Sequence, residues 1–270
     1  MSEWLILAAI VAYVVCLKCI YYRYRWSLKE PFEHVMNVVQ SRERNGGDIK
    51  ALIVTAHPDD ECMFFGPTII RLVEFKVNVH LMCLSQGDYY HQGAQRKQEL
   101  YDSCAKLGIP SSRITIINHK KLPDDPKVEW SISLAASIIA KHLEAHSVNM
   151  VLTFDGRGVS GHANHISIYK AVRHLVYTDQ VPNDCCFLSL VTVGLLRKYV
   201  SFLELPFSWL LPSSLCCMNG SDGYSQCKAA MLCHRTQLVW FRYLYVTFSR
   251  YMYINTFQMI PQAPKCHKMY

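Results

Sequence analysis

The sequence predicts an α/β fold with a mainly parallel sheet, helices on both faces of it, and one N-terminal transmembrane helix. Short apolar runs with the length of buried strands alternate with stretches of helical periodicity, a pattern typical of βαβ units. The first apolar stretch approaches the length that crosses a bilayer. The 270 residues suffice for this helix and one domain with a sizeable core.

The N-terminal stretch is predicted to be a membrane anchor over residues 1–22. Its apolar run is unbroken from Trp4 to Leu17, and Lys18 is the single charge that follows inside the stretch. A cleaved signal peptide is the alternative, but it would begin with basic residues. Here Glu3 precedes the run and basic residues follow it. The positive-inside rule therefore places the rest of the chain in the cytoplasm, with a single membrane pass.

The composition agrees with a cytoplasmic domain at a membrane. The net charge of +7 suits anionic phospholipid headgroups, and the sequence has no dense Lys/Arg run or motif that would indicate nucleic acid. The twelve cysteines are scattered singly or in adjacent pairs, many inside apolar runs. They indicate buried free thiols in a reducing compartment rather than a disulfide framework.

The chain after the anchor divides into three predicted parts. Residues 23–48 are polar and form a linker or a helix leading into the domain, 49–195 form a core, and 196–270 form a membrane-proximal helical extension. Strands are predicted at 51–56, 77–84, 114–117, 149–154 and 186–194. Helices are predicted at 95–107, 130–146 and 162–178.

Two features are predicted within the extension. Residues 212–226 are polar and are expected to be an exposed loop. Over 235–257, arginines recur every seven to eight residues among aromatic side chains, which favours a helix at the membrane interface. A helix packed over the sheet is the alternative.

The loop after the first predicted strand, AHPDDE, concentrates a histidine and two aspartates. Ligands bind at the carboxyl ends of parallel strands, so this loop borders the expected crevice. His57 and Asp60 can face one divalent cation, which would offset the cost of placing carboxylates together, and Asp59 is then free to act as a base. A helix N-cap is the alternative for these aspartates.

The loop after the fourth strand carries the second set of candidates, His162 and His165, at the start of a helix. His165 lies on the apolar face of that helix, so a buried core histidine is the alternative. Asp155, directly after the strand, is expected to brace the loop. Because the first and fourth strands are neighbours in the usual order of such sheets, the two loops are predicted to converge.

Convergence would give His57, Asp60 and His165 as three ligands of one metal ion, the pattern of a catalytic zinc site. Zinc is preferred for two histidines and a carboxylate, with iron as the alternative. Asp59 would accept a proton from water, and His162 would stabilise a tetrahedral oxyanion.

The motifs AHPDDE and GHANH, about a hundred residues apart, resemble those of the LmbE-like (PIG-L) de-N-acetylases over residues 50–195. The resemblance implies a Rossmann-like fold and the same residue roles: zinc ligands His57, Asp60 and His165, base Asp59, and transition-state stabiliser His162. The anchor and the stretch LYDSCAKLGI further resemble members that deacetylate N-acetylglucosaminyl-phosphatidylinositol, a glycolipid, during GPI-anchor biosynthesis at the cytoplasmic face of the endoplasmic reticulum. A deacetylase of a soluble N-acetylglucosaminyl conjugate and a non-catalytic member of the fold are the alternatives.

Three further residues are predicted to bind substrate. Arg96 follows the second strand and could hold the inositol phosphate with two hydrogen bonds, unless it is a surface arginine. Asp88 in the same loop is a candidate for the sugar hydroxyls. His234, from the C-terminal segment, is expected to reach the site, with a position on a helix surface as the alternative.

Overall fold

The computed structural model describes residues 2–27, 48–182 and 185–262. Helix α1 spans Ser2–Ser27, and its stretch Glu3–Arg23, with a mean hydropathy of 2.2, is long and apolar enough to cross a membrane. The predicted anchor is therefore a helix with the length and composition of a membrane span. Most of the predicted linker over 23–48 lies outside the described residues.

The remaining described chain forms a seven-stranded sheet. In chain order the strands are β1 (Lys50–Thr55), β2 (Asn78–Cys83), β3 (Ile114–Ile116), β4 (Met150–Phe154), β5 (Cys186–Leu190), β6 (Leu215–Met218) and β7 (Ile254–Met259). Their spatial order is β3-β2-β1-β4-β5-β7-β6; the first five are parallel, and β7 pairs antiparallel with both β5 and β6. The prediction of a mainly parallel α/β sheet is confirmed.

The helices beyond α1 complete the α/β arrangement. They are α2 (Asp60–Phe64), α3 (Gly66–Glu74), α4 (Gly93–Leu107), α5 (Ile132–His146), α6 (Gly158–Gly161), α7 (Ala163–Tyr177), α8 (Leu195–Lys198), α9 (Leu205–Leu210), α10 (Ser221–Met231) and α11 (Trp240–Phe248). Helices α4, α5 and α7 are the three predicted from periodicity. Short 3-10 turns lie at 111–113, 201–204, 235–237 and 250–252.

The sheet is buried on both faces, and this explains why its central strands are continuously apolar. In β1, Ala51 and Ile53 pack with α2, α3, α4 and α10, whereas Leu52 and Val54 pack with α5 and α7. Strand β4 lies beside β1 with Ile53 opposite Leu152. The predicted adjacency of the first and fourth strands is therefore observed, and it brings the two candidate loops to one edge of the sheet.

The prediction of an exposed loop over 212–226 is wrong, because this stretch contains strand β6 and the start of helix α10. Leu215 pairs with Phe257 across the antiparallel ladder, and both side chains are fully buried. Polar residues flank a strand of only four residues, which is too short to show a periodic pattern.

The prediction of a single helix over 235–257 is also wrong. The stretch divides into a 3-10 turn, α11, a second 3-10 turn and β7, so the predicted helical extension also supplies sheet strands. Arg250 is fully buried rather than at an interface; its Nε lies 3.4 Å from Glu204 Oε2, and Arg197 and Ser208 also contact the Glu204 carboxylate. Burial of an arginine requires such a partner, and the sequence pattern does not reveal it.

Helix α1 contacts the sheet domain through its C-terminal segment. Leu17 packs with Leu205, Met218 and Ile254, and the Tyr13 hydroxyl donates to the Leu203 carbonyl over 2.8 Å. The candidate membrane span is thus in direct contact with the 3-10 turn at 201–204 and with α9.

Candidate active site

The loop after β1 is ordered by hydrogen bonds to Asp60, the first residue of α2. Its Oδ2 accepts from the backbone amides of Ala56 and His57, each over 2.9 Å. Asp59, directly before it, has a φ of 118°, a conformation that is strained for a residue with a side chain. The two neighbouring carboxylates face different partners: Asp60 contacts His165, and Asp59 contacts Arg242.

The loop after β4 is ordered by hydrogen bonds to the carboxylate of Asp155. Its Oδ1 accepts from the amide of Gly158 over 3.1 Å, and its Oδ2 accepts from the amide of Thr192 over 2.8 Å. The carbonyl of Gly158 lies 3.1 Å from His165 Nδ1, and the His165 ring stacks on Phe154 with ring centroids 3.9 Å apart. Asp155 therefore positions His165 through Gly158.

The two loops converge on one buried point. Asp60 Oδ1 lies 3.2 Å from His165 Nε2, and Asp60 Oδ2 lies 3.7 Å from His57 Nδ1. Ring nitrogens of His57, His162 and His165 lie within 4.8 Å of one another. The structure thus brings together all the residues predicted for metal binding, with His162 beside them.

The hydrogen bonds of the two buried histidines fit a metal ion. A carbonyl only accepts, so Nδ1 of His165 donates to Gly158. Nε2 of His165 is buried, has no hydrogen-bond partner among the described residues and faces Asp60, so it is the nitrogen left for a metal ion. Nε2 of His57 lies 2.9 Å from Asn164 Oδ1 and 3.1 Å from Asp124 Oδ1, which leaves Nδ1 facing Asp60. Two nitrogen lone pairs and a carboxylate facing one point suit a divalent cation.

The charge states of Asp60 and His162 also suit a site that binds a divalent cation. Burial by itself would raise the pKa of Asp60, but His165 and His57 outweigh it and hold the pKa below its usual value, so the carboxylate is ionised. Burial, together with His165 and His57, lowers the pKa of His162 to about 4, so this imidazole is neutral at pH 7. Burial raises the pKa of Asp59, against the opposing charge of Arg242.

A pocket of about 250 Å³ opens onto these residues. Its wall includes Asp59, His162 and Arg242, and Tyr89 and Tyr90 stand at its exposed side. Arg242 reaches it from α11, with Nη2 3.0 Å from Asp59 Oδ2.

Sequence reasoning missed the site contacts of Arg242, Asn164 and Asp124. Arg242 was noticed only as part of a basic and aromatic stretch, and Asn164 lies inside the GHANH motif. Asp124 lies in a loop with no pattern that could have singled it out.

The structure gives Arg96 a bracing position. Its guanidinium donates to the carbonyls of Pro58 and Gly87 and pairs with Asp124 over 3.0 Å. These contacts hold the loop before Asp59, and the predicted bond to a substrate phosphate stays a prediction.

The other two residues predicted to bind substrate are not among the described residues that line the pocket, and their substrate contacts stay predictions. Asp88 is exposed and accepts from the amide of Gly93 over 2.8 Å. His234 is fully buried, with Nε2 2.7 Å from Glu61 Oε1, which differs from the predicted substrate contact. Burial would lower the pKa of His234, but the Glu61 carboxylate outweighs it and raises the pKa. Glu61, the last residue of the AHPDDE motif, thus forms a buried ion pair with His234.

The fold and the site define an α/β protein with a candidate divalent-metal centre at the carboxyl ends of β1 and β4. The family model PIG-L, described as GlcNAc-PI de-N-acetylase, matches residues 52–176. The chain belongs to the PIG-L family.

Relatives support this assignment. The chain is 47% identical over 215 residues to N-acetylglucosaminyl-phosphatidylinositol de-N-acetylase of Bos taurus, covering 80% of this chain and 85% of the relative. It is 31% identical to the Saccharomyces cerevisiae enzyme of that name, covering 79% and 82%. N,N'-diacetylchitobiose deacetylase from Pyrococcus horikoshii has the same fold, with a TM-score of 0.59 and 18% identity, covering 89% of this chain and 92% of its own.

Proposed function

We propose that the protein hydrolyses the acetamide of N-acetylglucosaminyl-phosphatidylinositol to acetate and glucosaminyl-phosphatidylinositol, the second step of GPI-anchor biosynthesis. The single observation that carries this proposal is the convergence of His57, Asp60 and His165, in a chain 47% identical to the bovine enzyme. The apolar helix α1 suits a membrane-held substrate. Basic residues after this helix favour a cytoplasmic catalytic domain on the endoplasmic reticulum.

His57, Asp60 and His165 would hold the metal ion, and zinc is the ion that this donor set favours. When bound, the ion supplies Lewis acidity that polarises the acetamide carbonyl and makes water easier to deprotonate. Asn164 and Asp124 orient His57, while Asp155 and Gly158 orient His165. Such supporting hydrogen bonds fix which ring nitrogen faces the ion.

Asp59 and His162 carry the proton chemistry in this proposal. The Asp59 carboxylate accepts a proton from the attacking water, and Arg242 keeps that carboxylate in place. Neutral His162 lines the pocket, and a ring N–H there can donate to the oxygen of the tetrahedral intermediate. Transfer of the proton to the leaving nitrogen breaks the C–N bond, giving acetate and the amine.

Acetate release from the glycolipid in detergent micelles tests the proposal. The full-length protein should release acetate, a chelator should abolish release, and Zn²⁺ should restore it. If the metal-loaded protein releases no acetate from this glycolipid, the proposed substrate is wrong. Faster release from a soluble N-acetylglucosaminyl conjugate would favour the alternative deacetylase.

A further inference from the structure

A second cavity, of about 480 Å³, adjoins the catalytic pocket. The two share a wall formed by Met63, Phe64, Ser160 and Arg242. Beyond this wall the second cavity is lined mainly by large apolar and aromatic side chains: Tyr199, Trp240, Phe241, Leu244, Tyr245 and Phe248. We call this second cavity the aromatic groove. The proposed deacetylation does not use it.

Lys198, at the end of α8, lines the aromatic groove although its side chain is largely buried, with 8% of the residue exposed. Within the described part of the chain, no carboxylate forms an ion pair with it. Its ammonium lies 5.5 Å from the ring of Tyr199. An ammonium that lines a cavity and pairs with no described carboxylate is positioned to attract an anion that enters the cavity.

Arg242 supplies a second positive charge at the same place. Both side chains line the aromatic groove, and burial, together with the charge of Arg242, lowers the pKa of Lys198. Arg242 pairs with Asp59 through Nη2, whereas its buried Nε has no hydrogen-bond partner among the residues that the structure describes. The junction between the catalytic pocket and the aromatic groove therefore carries two cations and one carboxylate.

A short stretch of chain connects the groove to a contact with the candidate membrane anchor. From Lys198 the chain runs through the 3-10 turn at 201–204, where the Leu203 carbonyl accepts from Tyr13 in the middle of the apolar stretch of α1. Leu196 and Leu210, on the two short helices flanking that turn, are 86% and 79% exposed. Such exposed leucines suit the lipid side of the protein.

We propose that Lys198 and Arg242 bind the phosphodiester of the substrate, and that the aromatic groove receives the adjoining glycerol and the start of its acyl chains. This assignment rests on the proposed function, which places the N-acetyl group in the catalytic pocket. The order of the three regions matches the substrate: polar sugar and inositol, then a phosphate, then an apolar lipid. Lys198 is thus a specificity residue that distinguishes the glycolipid from a sugar conjugate without phosphate.

The test compares two substrates in Lys198→Met. With N-acetylglucosaminyl-phosphatidylinositol in mixed micelles, we expect KM to rise about tenfold to a hundredfold, as for loss of a hydrogen bond to a charged group, with kcat little changed. With N-acetylglucosaminyl-inositol, which has no phosphate, kcat/KM should stay within twofold of wild type. Lys198→Arg should retain most of the affinity, and Lys141→Met, at an exposed position, serves as the matched control.

Equal losses on both substrates, or no loss on either, would overturn the phosphate assignment while leaving the deacetylase function standing. Absence of acetate release by the wild type would instead reject the proposed function. A measurement on the wild type alone avoids any folding defect of the variants. Glycerophosphoinositol should inhibit wild-type hydrolysis of the phosphate-free substrate competitively, and no inhibition at millimolar concentration would overturn the proposal.

Discussion

The carboxylate of Asp59 lies 3.0 Å from the guanidinium of Arg242, a residue 183 positions later in the chain. This contact joins the AHPDDE loop to α11 and closes one side of the catalytic pocket. Arg242 opposes the rise in the pKa of Asp59 that burial causes. The proposed base is therefore held by an element that lies outside the two family motifs.

Asp59→Asn should reduce acetate release by about 10²–10⁴-fold, because an amide cannot accept the proton. Metal content, measured by mass spectrometry of the purified protein, should stay at the wild-type level, since the Asp59 carboxylate faces Arg242 rather than the histidines. Asp60→Asn is the contrasting variant and should lose metal. Loss of metal in Asp59→Asn would contradict the assigned roles.

Gly158→Ala should weaken metal binding and activity together. Gly158 has a φ of +58°, and an added Cβ would lie 3.1 Å from the Cβ of His165 and 3.0 Å from Ile166 Cγ1. His165 would have to shift away from Asp60. Gly194→Ala is the matched control, because its added Cβ meets no atom within 4 Å. Titration with zinc measures both variants, and equal affinities would count against the positioning role of Gly158.

Glu204→Ala should destabilise the protein by about 3–5 kcal/mol, because it leaves the buried charge of Arg250 without its partner. Glu74→Ala removes an ion pair whose carboxylate is 55% exposed, and it should change stability by less than about 1 kcal/mol. Urea unfolding in detergent, followed by tryptophan fluorescence, gives both values. Similar effects of the two substitutions would show that the buried pair contributes little.

Acid should weaken the fold through a histidine cluster formed by His80, His142 and His146. Burial, with the charge of His146, lowers the pKa of His80 and of His142 from 6.5 to about 4. The unfolded chain therefore takes up protons below pH 6.5 that the folded chain resists. The stability that the folded protein gains from keeping these two histidines neutral is complete above pH 6.5 and is lost as the pH falls toward 4.

Measuring the urea midpoint of unfolding from pH 7 to pH 4 tests whether stability falls with pH as expected. His142→Gln has no titrating ring and should give a shallower decline than the wild type. His174→Gln, at an exposed position, is the matched control and should leave the slope unchanged. An unchanged slope in His142→Gln would contradict the assignment.

The parallel part of the fold was predictable because its signals are local. Each strand from β1 to β5 is a short apolar run, and the adjacency of β1 and β4 places His57, Asp60 and His165 together. The antiparallel strands β6 and β7 were missed because their pairing joins Leu215 to Phe257, and neither strand has a distinctive period. Contacts of this range depend on the assembled fold rather than on neighbouring residues.

Buried charged residues were also hard to predict, because their partners are distant in the chain. Arg250 was predicted at a membrane interface and His234 at the active site, but each is buried against a carboxylate that is distant in the chain, Glu204 and Glu61 respectively. For Arg96, the position after β2 was predicted correctly. Its guanidinium, predicted to hold a phosphate, contacts backbone carbonyls and Asp124 in the structure. Position in the fold was therefore easier to predict than side-chain partner.

The aromatic groove has a consequence for how substrate range can change among related proteins. Every residue proposed to hold the metal or move a proton lies within 57–165, inside the stretch 52–176 that the family model matches. Lys198 and the groove residues beyond the shared wall lie at 198–248, outside that stretch. The proposed catalytic residues and the proposed lipid-binding residues thus lie in different stretches of the chain, joined by the contact of Arg242 with Asp59. Substitutions in the groove that keep Arg242 can therefore change lipid preference while the metal-binding residues stay the same.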